Sequence, residues 1–142
     1  TTTTGLARFG VMVLGAAVAG CHAATARGSG GDAVVRPVIE HELPPMDGAR
    51  LRTTVVEVAY GPGGASPPHS HPCPVIGYVL EGALRSQVAG EPERVYRAGE
   101  SFYEAPNGTH RVSANASDRE PVRFLAFFTC DSAGPLTAPA RP

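Results

Sequence analysis

The chain has 142 residues, which allows one domain with a buried core that needs neither disulfides nor metals as staples. With 12 Lys and Arg against 13 Asp and Glu the formal net charge is -1. No basic cluster is present that could follow a phosphate backbone, so nucleic acid is excluded as a partner class. The 17 Gly and 14 Pro fall at the ends of short apolar runs, where they act as turn punctuation, and this favours an all-β chain.

At the N-terminus, Arg8 precedes the apolar run Phe9 to Ala19, which ends in Gly20-Cys21. That is the layout of a charged region, a short hydrophobic region and a small-residue cleavage site, too short to span a bilayer comfortably. Val18-Ala19-Gly20-Cys21 resembles the bacterial lipobox, which implies lipidation at Cys21 and a membrane contact through that lipid anchor. An ordinary secretory signal and a buried N-terminal helix are the other readings of residues 1–21. Residues 22–33, rich in Ala, Gly and Ser, suit a flexible tether, with His22 as a solvated linker residue. The expected location is the cell envelope or periplasm, lipid-anchored or secreted.

The chain then alternates and turns with no helical period. An extended run from Val34 to Leu43 is broken by Pro37 and Pro44-Pro45, and Leu51 to Tyr60 reads as a strand ending at Gly61-Pro62-Gly63-Gly64. Ser66 to His71, Val75 to Leu80, Leu84 to Val88, Arg94 to Arg97, Ser101 to Ala105, Thr109 to Ser113 and Val122 to Cys130 follow. In all, about nine short strands arrive at the regular spacing of a sandwich or barrel, within a domain expected over residues 34–131. Residues 132–142, rich in Pro and Ala, are expected to pack loosely or not at all.

Histidines carry the chemical signal. In Pro67-Pro68-His69-Ser70-His71-Pro72 the two imidazoles occupy alternate positions of an extended segment and therefore share a face, so they can share one metal ion. His110, in Pro106-Asn107-Gly108-Thr109-His110, is the third candidate. His41 has acidic neighbours and no partner in any motif, and reads as a surface residue.

These spacings resemble the cupins. Their first motif runs from a glycine through His-x-His and a glutamate to a second glycine, and Gly63, His69, His71 and Gly82 fall in place. Gly99, Pro106, Gly108, His110 and Asn115 approximate the second motif. The resemblance covers roughly Val34 to Cys130 and implies a single closed jelly-roll barrel, the double-stranded β-helix. It also implies pairing into a homodimer. One position departs from the pattern: where cupins carry the glutamate ligand this chain has Val75. The implied ligand set is thus His69, His71 and His110 around one divalent transition metal, with Fe, Mn, Ni, Cu and Zn all compatible with imidazole. Such a triad is similar to that of thiol dioxygenases and diketone-cleaving dioxygenases.

Glu104 is the candidate catalytic residue. It shares a strand face with Phe102, so if Phe102 points into the interior Glu104 follows. There it would bind the metal, pair with substrate or act as a base, and would partly replace the carboxylate lost at Val75. The other reading puts it in solvent near the rim. By parity with His71, Val75, Gly77 and Val79 are expected to line a small apolar pocket with Phe102, Gly77 leaving space that a side chain would fill. Tyr103, Phe127 and Phe128 read as packing residues. Cys73 and Cys130 form a disulfide, place a thiol near the metal from Cys73, or remain two inert thiols.

The functional reading is a mononuclear metal-binding protein of the envelope, a dioxygenase or related oxidoreductase acting on a small organic molecule. Two other classes stay open: a non-catalytic module for a small ligand or metal, and a metal-dependent isomerase or lyase using a base such as Glu104.

Overall fold

The computed structural model describes residue 1 and residues 33–140. The lipobox with Cys21 and nearly all of the tether lie outside the described residues. Among the described residues no helix is long and apolar enough to cross a membrane. The chain divides after Val34, and the fold is that of the second unit, Val35–Pro142.

That unit is all-β. Its strands are β1 (Arg52–Tyr60), β2 (Ala65–Ser66), β3 (His69–Ser70), β4 (Val75–Glu81), β5 (Ala83–Val88), β6 (Arg94–Arg97), β7 (Ser101–Glu104), β8 (Thr109–Asn115), β9 (Val122–Cys130) and β10 (Ala138–Pro139). One sheet has four strands in the order β1-β9-β4-β7; the other runs β10-β3-β8-β5-β6, with β2 also paired to β8. All pairs are antiparallel.

The expected closed jelly-roll barrel does not form. Among the described residues no ladder joins one sheet to the other, so the molecule is a cupin-like pair of sheets with open edges. Proline supplies a physical reason: Pro67 and Pro68 split the first histidine segment into two strands of two residues each, and β10 ends in Pro139, none of which can donate to a ladder. The expected strand over Val34 to Leu43 is absent as well; the run is unpaired, and Val34 and Val35 stand exposed.

Strict alternation builds the core. Along β9 the residues Val122, Phe124, Ala126, Phe128 and Cys130 are buried while the residues between them are only half-buried, as a period of two requires. Val79, Phe102, Val122 and Phe124 of the four-stranded sheet pack with Leu84 of the other and fill one end of the space between the sheets. Cys73, Val75, Ala126, Phe128 and Cys130 form a second cluster, against which Val56 and Leu136 pack. The chain crosses between sheets at Gly82, which must be glycine because its φ is 74° and a Cβ there would lie only 2.2 Å from the Pro121 carbonyl oxygen. Asn115 ties the loops at this end, its amide donating to the Gly61 and Glu120 carbonyls at 2.9 and 2.7 Å.

The tail differs from its expectation. Ala138 and Pro139 pair with Ser70 and His69, and Leu136 reaches the second cluster.

Candidate metal centre

His69 and His110 are direct partners across β3 and β8, and His71 follows immediately after β3. Position is enforced from the backbone: the Asn107 amide donates to the His71 carbonyl at 2.6 Å, with Asn107 in the left-handed region at φ 64°. Asparagine tolerates that conformation better than most side chains do. The ring centroids of His69 lie 4.8 Å from His71 and 5.1 Å from His110. One ligand atom from each ring falls within 4.8 Å of the others, a cluster suited to a single divalent metal.

The remaining ring nitrogens decide which atoms face the centre. His69 Nδ1 donates to the Pro67 carbonyl at 2.8 Å and His71 Nδ1 donates to the Leu136 carbonyl at 2.8 Å. A carbonyl only accepts, so both Nδ1 atoms carry the proton and both Nε2 atoms keep a lone pair. His110 Nε2 meets the Ser86 hydroxyl at 2.9 Å, which leaves its Nδ1 buried without a hydrogen-bond partner. A buried imidazole nitrogen with nothing to bind is costly by itself, and the supporting bonds on the opposite nitrogens are those that orient histidines toward metals. The donor set therefore fits a transition metal. Burial pushes the His71 pKa below the ordinary histidine value, opposed by its bond to Leu136 and by the Glu104 carboxylate; the lowered value favours the neutral, ligating form.

Glu104 lies in the interior, only 5% exposed, and not at the rim. Its Oε2 is 3.1 Å from His110 Nδ1 and 3.6 Å from His71 Nε2. It sits opposite Val75 in the β4–β7 register, and both line a cavity of about 310 Å³ beside the three histidines.

The other expected pocket residues go elsewhere. Val79 and Phe102 belong to the packed end of the core, and the Phe102 ring occupies the space above Gly77 that was expected to stay open. The cavity walls come instead from β1 and β9, with Val56, Val58, Phe124, Ala126 and Phe128. Strand parity, applied to β9, would have found the last three. Ser86 shares a face with Leu84 and Val88 and was equally legible; Leu136, acting through its carbonyl, was not. His41 is exposed and stacks on Tyr103, with ring centroids 3.4 Å apart. Phe128 is buried against His71, whereas Phe127 lies on the other face of β9. Cys73 and Cys130 are joined by a disulfide.

A model of the cupin domain matches residues 56–128, just over half of the chain. The chain belongs to the cupin domain family. Among its curated relatives, oxalate oxidase 1 of Hordeum vulgare is 33% identical over 85 residues, covering 54% of this chain and 42% of the relative. Germin-like protein 3-5 of Oryza sativa subsp. japonica is 30% identical over 112 residues, covering 70% of this cupin and 49% of the relative. This cupin thus spans less than half the length of either. Among solved structures, a cupin-like protein of Thermotoga maritima aligns with a TM-score of 0.52 at 30% identity, over 58% of this chain and 61% of that one. A solved oxalate oxidase aligns with a TM-score of 0.52 at 28% identity, over 61% and 45%. The chain is therefore related to oxalate-oxidase and germin-like cupins and carries a histidine cluster resembling a mononuclear metal site.

Proposed function

We propose that this cupin is a metal-dependent oxidoreductase, of the dioxygenase kind, acting on a small organic molecule with an apolar body and one polar end. The observation that carries the reading is the convergence of three bare imidazole nitrogens, from His69, His71 and His110, on a mostly apolar cavity whose other polar lining is Glu104, Tyr60, Ser66, Ser113 and Thr137. When bound, the ion supplies Lewis acidity and, for iron, manganese or copper, one-electron chemistry. The chain's own residues do the rest. His69, His71 and His110 hold the ion, their outer nitrogens fixed by Pro67, Leu136 and Ser86. Val56, Val58, Phe124 and Phe128 exclude water and seat the apolar body.

Oxalate, named for the Hordeum vulgare relative, suits this cavity poorly. No Lys or Arg lines it among the described residues, so a dianion would have the metal ion as its one positive partner, and the mostly apolar walls favour a neutral molecule. The test is oxygen consumption by tag-free protein loaded with iron(II), offered small thiols, diketones and oxalate. We expect one metal per chain, oxygen uptake with a neutral substrate, none with oxalate, and loss of metal in His110→Ala. Tightly held zinc with no oxygen uptake on any substrate would mean a binding module instead.

The envelope location is part of the same proposal. The lipobox sequence supports it, and so does the Cys73–Cys130 bond, which persists in oxidising compartments. A homodimer is supported by Val55, Phe127 and Ile76, neighbours across three strands of the four-stranded sheet on its outer face, where Tyr103, next in the row, is covered by His41. Sedimentation of the purified domain as a monomer at every concentration would remove the dimer.

A further inference from the structure

We infer that Glu104 is a fourth protein ligand of the metal centre, its carboxylate standing across one strand pair from the place where the cupin pattern puts a glutamate. This rests on the three-histidine reading above and adds a charge and a ligand to it. The register supplies the first support: Val75 on β4 and Glu104 on β7 are direct partners, so a carboxylate lost at one can be returned at the other from the same face of the same sheet.

Distances supply the second. Two ligand atoms held about 2.1 Å from one ion at angles near 90° to 110° stand roughly 3.0 to 3.4 Å apart. Glu104 Oε2 lies 3.1 Å from His110 Nδ1 and 3.6 Å from His71 Nε2, the two atoms that their rings leave bare. His69 brings a third nitrogen, one ligand atom from each of the three rings lying within 4.8 Å of the others, and Glu104 stands on the His71 and His110 side of that group.

A shared proton is the competing account of these contacts, and the geometry argues against it. A ring N–H needs its acceptor near the N–H line, yet His110 Nδ1 makes no hydrogen bond although the carboxylate oxygen is 3.1 Å away. The oxygen thus stands off that line, where a second ligand of a common ion belongs. At His71 the proton is already on Nδ1, facing Leu136, so Nε2 offers the carboxylate only a lone pair. A buried carboxylate beside the His71 lone pair is repelled by it, and a cation between them removes the repulsion. With Glu104 bound, a divalent ion keeps a net charge near +1 and fewer open positions than three histidines alone would leave.

Cobalt(II) is the probe, added to tag-free apoprotein and followed by its visible spectrum and by competition with a chelator. We expect Glu104→Gln to weaken cobalt binding at least about tenfold and to shift the spectrum. The double variant V75E/E104Q, which returns the carboxylate to β4, should regain most of that affinity, while His110→Ala should abolish binding. On the unaltered protein, the zinc-minus-apo infrared difference should contain the stretching bands of one carboxylate. A Glu104→Gln variant with the affinity and spectrum of the parent overturns the carboxylate ligand and leaves the three histidines standing, as does an infrared difference without carboxylate bands. Parent protein that takes up no cobalt overturns the three-histidine reading itself.

Discussion

A methyl group placed on Gly77 would lie 2.0 Å from the tip of the Phe102 ring and within 2.5 Å of two more of its atoms. Phe102 cannot swing away freely, because it is buried between Tyr96 and Phe124, whose ring centroids are 5.1 and 6.1 Å distant. Gly77→Ala therefore overpacks the core and should destabilise the fold by about 1–3 kcal/mol, read as a lowered urea midpoint with an unchanged slope. Gly77 is thus a packing glycine. Its neighbourhood also explains why the pocket expectation failed at three of its four positions: alternation tells which residues share a face, but Val75 and Val79 share a face at opposite ends of β4 and meet different contents. The same rule served Glu104 better. Phe102 and Glu104 had to point together, and the structure decides that they point inward.

Among the elements, β10 is the one that sequence reading missed and the site depends on. Its two residues form a ladder with β3, and the preceding Leu136 gives its carbonyl to His71. Nothing in a Pro- and Ala-rich segment announces this, because the contact is made by backbone, which every residue carries, and the run is too short to have a period. Removing residues 133–142 should leave the two sheets folded apart from the lost edge strand β10, since their cores draw only Leu136 from the tail. The truncation frees the His71 ring to rotate and its proton to move between nitrogens. Metal affinity should fall roughly 10- to 100-fold, measured by cobalt titration, with far-ultraviolet circular dichroism little altered. By contrast β1, β6 and β9 were legible almost residue for residue, β1 and β9 as alternations and β6 as a short run of Val and Tyr between arginines, each bounded by Gly, Pro or charged turns.

At the scale of the molecule, the all-β class and the meeting of the three histidines could be read in advance, while closure of the sheets could not. Spacing of strands sets their number; closure depends on donors at the edges, which prolines remove at β10 and between β2 and β3. With open edges, long-range ties carry more of the load, and the Cys73–Cys130 bond is the covalent one, linking residues 57 apart. It fastens the segment two residues past His71 to the end of β9, both cysteines being buried in the cluster that walls the cavity. Cross-linking a loop of this length restricts the unfolded chain by an amount worth about 4 kcal/mol on the chain-entropy account. The double variant C73S/C130S should therefore lose a few kcal/mol of stability in a denaturant titration, and added reductant should lower the parent to the same midpoint without affecting the variant. Metal raises the midpoint of any form that binds it, by mass action on the folded state. If the bond also positions His71, the stabilisation by saturating cobalt will be smaller in the variant than in the oxidised parent. Equal metal stabilisation in both would mean that the disulfide serves the fold alone, the Asn107 and Leu136 contacts being enough to hold the ring.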